Sequence, residues 1–330
     1  MERDTLKNTL VCVLPFACIA LGTVAACVSD TSTPVDGGPD VTTTDSGGDV
    51  VKTDGSVDAP VEAGFSPKSI TGLRLWFEAD KGVALGDAGG DAGAYVTTWN
   101  DQSGNAENAV PNVGTQFLPA CTPPQLVANV INGLPALDFS PPTSFVSTCL
   151  QLPGGFSDFS AGATVFAVGR VDVPQPDTAF FAFGLLQSPN IDPANPLYQV
   201  AFKYASNSLA MVSWNDLDAG DYTTLSSAAN SAGNAHEVHV FEWVLNAGSA
   251  GTIASGGWFM DGNQLGVGND AKPMTMPQVS TRNMNTIGWA GRTPGQLLGY
   301  VGEMMLYTGP LKTSDRIAVE QYLRAKWATP

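Results

Sequence analysis

The segment from His236 to Trp243, HEVHVFEW, brings two carboxylates and two imidazoles together along the chain. Glu237 and Glu242 are two carboxyl groups that could act as a pair, one as a general acid and one as a general base. On a regular strand Glu237 and His239 share a face and Glu242 points the opposite way, unless a bulge realigns it. Paired-carboxylate catalysis is therefore one hypothesis, and an ordinary strand is the simpler one. Metal binding is disfavoured because the two histidines face opposite ways.

A second candidate site is the segment WNDQSGNAENAV, residues 99–110. Asp101, Ser103 and Asn105 alternate as the first ligands of a calcium loop do, and calcium prefers such hard oxygen donors. The pattern then fails, because Ala106 stands where the loop needs Gly and an Asn replaces the closing Glu. A turn whose Asp, Ser and Asn side chains bond to their own backbone explains the same residues. Calcium is the only cofactor that the sequence suggests, and the turn is the alternative.

Tryptophans supply a third kind of candidate, because an aromatic face stacks on the C–H face of a sugar ring. Four of them lie in strand-like runs: Trp214, Trp243, Trp258 and Trp289. Most tryptophans of a β-sandwich belong to its core, so we expect one or two of the four to be exposed. Trp214 and Trp258 are the candidates for ligand binding.

The first 27 residues are typical of a bacterial export signal. A mostly apolar run from Leu10 ends in small residues and a Cys, VAAC at residues 24–27. This ending resembles the lipobox of bacterial lipoproteins, which implies that Cys27 is lipidated and becomes the mature N-terminus. Val28 follows where an Asp would favour inner-membrane retention, so the expected location is the cell envelope, anchored by lipid, at the outer membrane or cell surface. An uncleaved membrane anchor and ordinary signal-peptide cleavage are the alternatives.

Residues 28–66 are expected to form a disordered acidic linker. This segment contains eight acidic residues and one Lys, with almost nothing that can pack into a core. It accounts for part of the formal net charge of −16, a charge that argues against nucleic acid as a partner, since phosphate binding needs clustered Lys and Arg. The linker predicts a folded domain, residues 67–330, held away from a membrane.

The five cysteines fit an exported protein. Cys12 and Cys18 leave with the signal and Cys27 is lipidated under the lipobox interpretation, which leaves Cys121 and Cys149. We predict that these two form a disulfide, which is typical of oxidising compartments. A reactive thiol is the alternative, although neither Cys has a His or basic residue nearby in sequence to activate it.

From Ile70 onward, short apolar runs alternate with turn residues, and many runs are apolar on both faces. Asp261-Gly262 between two such runs is a strong signal for a two-residue hairpin. Near the end of the chain Val319, Tyr322, Leu323 and Trp327 form one apolar stripe of a helix, with Thr313 as its expected cap. The pattern predicts an all-β, two-sheet antiparallel sandwich with one C-terminal α-helix.

The order of several segments resembles a known family. These are LRLWFEAD (73–80), VTTWNDQSGN (96–105), NGLPALDF (132–139), TVFAV (164–168), GEMMLY (302–307) and DRIAVEQYLRAKW (315–327). Together they resemble the laminin-G-like branch of the concanavalin A-like lectin/glucanase jelly rolls of bacterial surface proteins. The resemblance implies a jelly roll whose concave face binds glycans or proteins, sometimes with calcium. Laminarinase-like enzymes of this fold carry Glu-x-Asp-x-x-Glu, whereas here His239 replaces the central Asp.

Three functions follow as expectations. The first is a cell-surface lipoprotein whose domain binds a glycan or a surface protein without catalysis, with the membrane as a second partner through the lipid anchor. The second is a jelly-roll glycoside hydrolase that uses paired carboxylates. The third is a structural envelope lipoprotein without a small ligand.

Overall fold

The structure, a computed structural model, describes residues 64–86, 94–114, 120–140, 147–156, 159–173, 178–185, 197–214, 222–233, 236–248, 252–266, 274–275, 282–290 and 295–330. These residues belong to one compact unit, Asp58–Pro330. The predicted signal segment, Cys27 and the linker up to residue 63 lie outside the described residues. The predictions made for them remain predictions.

Strands form where the sequence is rich in β-branched and aromatic residues between turn residues. The described strands are β1 (Leu73–Glu78), β2 (Val83–Gly86), β3 (Tyr95–Trp99), β4 (Val110–Pro111), β5 (Gln125–Ile131), β6 (Leu134–Asp138), β7 (Leu150–Leu152), β8 (Gly162–Val171), β9 (Thr178–Leu185), β10 (Leu197–Ala205), β11 (Ser208–Trp214), β12 (Tyr222–Ser226), β13 (His239–Ala247), β14 (Thr252–Met260), β15 (Asn263–Gln264), β16 (Met274–Thr275), β17 (Met284–Ile287) and β18 (Gly299–Thr308). A 3₁₀ turn, Pro67–Ser69, precedes them, and the helix α1, Thr313–Trp327, follows.

The strands are arranged in two antiparallel sheets. One has the order β15-β14-β13-β8-β18-β6-β5-β3-β2, with β1 paired to β18 and β16 paired to β14. The other has the order β12-β11-β10-β9-β17-β7-β4. Strands distant in sequence are neighbours, as β8 and β18 are, so the chain crosses between sheet positions as in a jelly roll. The predicted all-β jelly-roll sandwich with a C-terminal helix is confirmed.

Aromatic side chains fill the space between the two sheets. The ring centroid of Phe180 in β9 lies 5.3 Å from that of Phe241 and 5.6 Å from that of Trp243, both in β13. Phe202 in β10 lies 6.4 Å from Trp243. These contacts join strands of opposite sheets, so they hold the sandwich together.

The helix α1 covers the outer face of the first sheet. Val319, Leu323 and Trp327 are buried there in one cluster with Phe166 of β8 and Met305 of β18. This cover explains why β8 and β18 are apolar on both faces: one face meets the second sheet and the other meets the helix. The predicted stripe is confirmed at its three buried positions.

The helix begins one residue earlier than the sequence predicts. Thr313 was expected to cap the helix, but Lys312 occupies the cap position and makes no side-chain capping bond, so Thr313 is the first helical residue. At the other end the helix approaches β18 closely. A Cβ on Gly302 would lie 2.8 Å from the Trp327 ring, so only glycine allows this packing.

Two further local predictions are confirmed. Asp261 and Gly262 both have positive φ, 50° and 76°, and they join β14 to β15 as a two-residue hairpin turn. Cys121 and Cys149 form a disulfide that encloses β5 and β6. Among the described residues, no helix has the length and apolarity needed to cross a membrane.

Candidate functional site

A β-bulge near the start of β1 sets the position of Arg74. Leu73 pairs with Tyr307 and Leu75 pairs with Leu306, so Arg74 is the extra residue between two adjacent partners on β18. Residues two apart normally share a face of a strand. Here Leu75 lies in the core between the sheets, whereas Leu73 packs with the cluster under the helix. The bulge therefore redirects the Arg74 side chain, as bulges commonly do next to functional sites.

Arg74 lines an open cavity of about 310 Å³, which we call the Arg74 cavity. Its walls come from the bulge of β1, the segment before β8, the start of β8 and the end of β18. The lining residues are Arg74, Gly155, Phe156, Phe159, Ala161, Gly162, Ala163, Leu306, Tyr307 and Thr308. Small residues at the start of β8 leave this space open. Gly162 cannot be replaced easily, because a Cβ there would lie 2.3 Å from the Leu245 carbonyl oxygen.

The guanidinium of Arg74 is fixed by a ring and a carboxylate. Its central carbon lies 5.2 Å from the centroid of the Phe156 ring, a cation–π distance. Its Nη2 donates to Glu107 Oε1 at 2.5 Å. About a third of the Arg74 side chain (37%) is exposed, against 16% for Glu107. The charge is therefore held in one place and still faces solvent.

A buried arginine supports the aromatic wall of the cavity. Phe156 has a φ of 53°, which is unusual for a bulky residue and needs support from its surroundings. Arg282 is fully buried and donates from Nη1 to the Phe156 carbonyl oxygen at 2.6 Å. Its guanidinium also lies 5.4 Å from the Phe159 ring centroid. Arg282 thus holds the backbone of Phe156 and contacts the ring of Phe159.

The polar segment 99–110 closes the outer edge of β1. Asp101 Oδ1 accepts from the backbone N–H groups of Trp76 (3.0 Å) and Ser103 (2.9 Å). Asp101 Oδ2 accepts from the Ser103 hydroxyl (2.6 Å) and the Glu107 N–H (3.2 Å). The Asn105 amide donates to the carbonyl oxygens of Leu73 and Arg74. The segment therefore replaces a neighbouring strand and carries Glu107 to Arg74.

This geometry bears on the predicted calcium ligands. Hydrogen-bond donors surround both carboxylate oxygens of Asp101, and Ser103 and Asn105 bond within the loop and to β1. A calcium ion needs those oxygens turned towards a common centre. The residues do not fit a calcium site in this conformation, and the turn interpretation accounts for them. The described part of the chain also has no cluster of three or more His, Cys, Asp or Glu side chains that could hold a metal.

The two candidate catalytic carboxylates lie in different environments. Glu237 is exposed in a bend before β13, which begins at His239 and not at His236 as expected. Glu242 is fully buried under α1, and its Oε2 accepts from Arg316 Nη1 at 2.7 Å. Burial raises the pKa of Glu242 to about 8, although Arg316 acts in the opposite direction. The two groups do not share an open groove, as a pair of catalytic carboxylates must.

The structure also shows how far the candidate sugar-binding tryptophans are exposed. Trp258 is fully buried, so its ring has no face to offer a sugar in this conformation. Trp243 is fully buried too, and Trp289 is 4% exposed. Trp214 ends β11, and its side chain lies outside the described part of the structure. Burial in the sandwich, and not ligand contact, explains the tryptophans that can be judged.

Sequence reasoning missed the residues that line the cavity. Arg74 stands inside the apolar run LRLWF, and a lone arginine in a buried strand was the available signal. The bulge that redirects it depends on pairing with β18, more than 200 residues away. Phe156 and Phe159 follow a glycine pair and carried no recognisable pattern.

Comparison with known proteins gives only distant similarities. No family model matches the chain, and no curated protein is significantly similar to it. Among solved structures, the chain is similar to domain 4 of AbnA, a GH43 extracellular arabinanase from Geobacillus stearothermophilus solved with arabinotriose, at 11% identity and a TM-score of 0.48, over 76% of this chain and 97% of that one.

Two other solved structures are similar at the same level. The CBM40 domain of the Ruminococcus gnavus IT-sialidase, bound to α2,3-sialyllactose, has 12% identity and a TM-score of 0.36, over 52% of this chain and 95% of that one. The binding domain of botulinum neurotoxin DC, in complex with SialylT, has 8% identity and a TM-score of 0.44, over 78% of this chain and 52% of that one. These values are too low to transfer a ligand, a residue or an activity to this chain.

Proposed function

We propose that the domain formed by residues 67–330 binds a glycan or protein ligand on the surface of a bacterial cell, without catalysis. The observation that carries this proposal is the Arg74 cavity, an open space lined by aromatic and small residues and by one fixed cation among the described lining residues. Sites for small ligands have volumes from about 300 Å³ upward, and they combine apolar walls with a few polar groups that orient the ligand. The Arg74 cavity, at about 310 Å³, has both features.

The cavity is also organised before any ligand arrives. Arg282 holds Phe156 from behind, and Glu107 and the Phe156 ring hold Arg74. A site whose side chains are already ordered loses less conformational entropy when it binds. This argues for recognition as the role of the cavity and against an accidental gap in packing.

The hydrolase alternative has less support. None of the described residues that line the Arg74 cavity is an Asp or a Glu. Glu242 is buried beneath the helix and paired with Arg316, and Glu237 is exposed elsewhere. A glycoside hydrolase of the usual kind needs two carboxyl groups facing one sugar. A structural role without a ligand is the remaining alternative, and it gives no reason for the ordered cavity.

The membrane anchor is part of this proposal and rests on the sequence. Residues 24–27 end an apolar segment in the manner of a lipobox, and an acidic linker follows. Metabolic labelling with a radioactive or alkyne-tagged fatty acid should label the natural chain in a bacterial host, and Cys27→Ser should abolish the label. A labelled Cys27→Ser chain, or an unlabelled natural chain, would remove the anchor from the proposal.

The binding role is tested with a glycan array and a hydrolysis screen on the purified full-length chain, with and without calcium. Ala161→Trp places a large side chain at the rim of the cavity, where Ala161 is exposed. Ala254→Trp, at an exposed position of β14, is the matched control. We expect at least one glycan to bind without turnover, with binding lost in Ala161→Trp and kept in Ala254→Trp. Binding that both variants retain would contradict the proposed site, and no binding to any glycan would remove the glycan form of the proposal.

A further inference from the structure

We propose that the Arg74 cavity recognises an acidic saccharide, a sugar ring that carries a carboxylate, and that Arg74 determines this specificity. This inference rests on the proposed binding function and names its ligand class. Three features of the cavity carry it: the unused donors of Arg74, the apolar wall beside them, and the closed edge of β1.

The first feature is the hydrogen-bonding capacity of Arg74. A guanidinium has five N–H donors, and its fork shape matches a carboxylate in a two-bond contact. Among the described residues, Arg74 donates to one acceptor, Glu107, through a single nitrogen, Nη2. The Phe156 ring makes a cation–π contact at 5.2 Å and is not a conventional hydrogen-bond acceptor, so this contact does not use up the other N–H groups.

The second feature is the wall next to this cation. The rings of Phe156 and Phe159 and the small residues Gly162 and Ala163 border the cavity. Phe156 is 9% exposed and Phe159 is 5% exposed, so they offer a ligand a narrow apolar contact and not a whole ring face. The C–H groups of one sugar ring can touch that surface while its polar groups point elsewhere. The volume of about 310 Å³ is at the lower end of the range for ligand sites, which suits one ring and not an extended polymer segment.

The net charge of the chain narrows the ligand class further. With a formal charge of −16, the protein repels a densely charged polyanion at long range. Recognition of an acidic ligand must therefore be local, with one carboxylate at Arg74. A uronic acid within an otherwise neutral glycan has this chemistry.

The third feature argues against a peptide as the ligand. Peptides commonly bind to a β-protein by adding a strand to an open sheet edge. At the cavity, β8 is paired with β13 and β18, and β18 is paired with β8 on one side and with β6 and β1 on the other. The outer edge of β1 is already bonded to Asp101, Gln102, Ser103 and Asn105. The strands that line the cavity therefore leave no edge for an added strand.

Glu107 has a definite role in this arrangement. It holds Arg74 in place. It is also a carboxylate, so the carboxylate of a ligand must either compete with it for Arg74 or share Arg74 with it. Glu107 is thus a positioning residue. Replacing it with Gln keeps the shape and an acceptor oxygen but removes the competing charge.

The test is calorimetric titration of the full-length chain with methyl glycosides of glucuronic and galacturonic acid, with the methyl esters of both, and with the neutral parent sugars. We expect an acid to bind at least tenfold more tightly than its methyl ester. Arg74→Met should weaken binding of that acid at least tenfold, and Arg74→Lys should weaken it less, since it keeps the charge and loses the fork. Glu107→Gln should bind the acid several-fold more tightly.

Arg170 provides a matched control. It also stacks on an aromatic ring, 4.6 Å from Tyr300, and pairs with a carboxylate, Asp172, at 2.6 Å. It lies at the other end of β8, roughly 25 Å away at the usual rise per residue. Arg170→Met should leave binding unchanged. Thermal unfolding of each variant identifies any that fails to fold. If Arg74→Met fails to fold, the Arg74→Lys and Glu107→Gln variants still test the inference.

Several outcomes would overturn the inference. Equal affinity for an acid and its methyl ester, binding of neutral sugars alone, or binding of a peptide with a free terminal carboxylate in place of the sugars would each do so. Weaker binding in Glu107→Gln would also contradict it. Neutral glycans that bind and are blocked by Ala161→Trp would leave the proposed function intact and remove this inference. No binding to any glycan would remove this inference together with the glycan form of the proposed function.

Discussion

The four hydrogen bonds that Asp101 accepts show why an oxygen-rich segment need not be a metal site. Three come from backbone N–H groups, that of Trp76 in β1 and those of Ser103 and Glu107 in the loop. A β-strand at an open edge has N–H and C=O groups that need partners. Asp101 supplies such a partner to β1, and this is a structural reason for an Asp at that position.

Replacing Asp101 with Ala should lower the free energy of unfolding by about 2–4 kcal/mol, because hydrogen bonds to a charged acceptor contribute about 1.5–3 kcal/mol each and water replaces part of them. Equilibrium urea unfolding measures the change. Glu237→Ala, at an exposed position, should change stability by less than about 0.5 kcal/mol. If EDTA lowers the free energy of unfolding of the natural chain and added calcium restores it, the structural interpretation of the loop is contradicted.

Glu242 shows a different use of a carboxyl group. Its Oε1 is buried without a hydrogen-bond partner in the described structure, and its Oε2 meets Arg316. Burial is the largest cause that raises its pKa from 4.5 to about 8; Arg316 lowers it, and Glu320 and Asp261 add to the rise. The folded state therefore holds a proton that the unfolded chain releases near pH 4.5.

The direction of the pH effect follows from linkage. Below pH 4.5 the group is neutral in both states, and between 4.5 and 8 only the unfolded chain releases the proton. Stability should therefore fall as pH rises through this window. In Glu242→Gln the fall between pH 5 and pH 8.5 should be smaller than in the natural chain, measured by urea unfolding at both values. Equal pH dependence in the two proteins would show that Glu242 is not the group concerned.

The helix α1 is attached to the sheet by an ion cluster as well as by its apolar stripe. Lys326 Nζ lies 2.6 Å from Glu78 Oε1, 2.8 Å from Asp80 Oδ1 and 2.9 Å from Glu303 Oε2. Burial alone would lower the pKa of Lys326, but the Glu303, Asp80 and Glu78 carboxylates raise it above its usual value. The indole N–H groups of Trp76 and Trp327 also donate to Glu303. The cluster fixes where the helix ends on the sheet.

Lys326→Met should destabilise the domain by about 3–5 kcal/mol, because it leaves buried carboxylates without their cation. Part of the loss should be recovered at low pH, where those carboxylates become protonated. Arg324→Met is the control on the same helix: Arg324 is 39% exposed and pairs with Glu320 at 3.2 Å, so its loss should stay within about 0.5 kcal/mol. Urea unfolding of both variants checks this, and similar losses would contradict the role assigned to the cluster.

The strands and the helix were largely readable from the sequence, for identifiable reasons. β8 and β18 are dense in apolar residues on both faces, which is a strong strand signal between turns. The Asp261-Gly262 turn depends only on local backbone preference. The bulge at Arg74 depends on which residues of β18 stand opposite, and the burial of Trp258 depends on which face of β14 meets the core. Such features are set by contacts between distant segments, so the sequence did not reveal the cavity.

The disulfide links segments of both sheets. Cys121 precedes β5 in the first sheet, and Cys149 precedes β7 in the second. The cysteines are 28 positions apart. By the chain-entropy account, closing a loop of this length stabilises the folded domain by about 3–4 kcal/mol.

Cys121→Ala combined with Cys149→Ala should therefore lower the free energy of unfolding by about 3–4 kcal/mol. Urea unfolding of this double variant should match that of the natural chain measured in reducing agent, since both lack the bond. A natural chain that is as stable reduced as oxidised would contradict the expectation.

The ring of Phe65, near the first described residue, lies 5.9 Å from the ring of Tyr322 in the final helix. The two ends of the folded domain are thus neighbours on one flank. Because its two ends lie close together, such a domain can be inserted into a host protein with little disturbance of either partner.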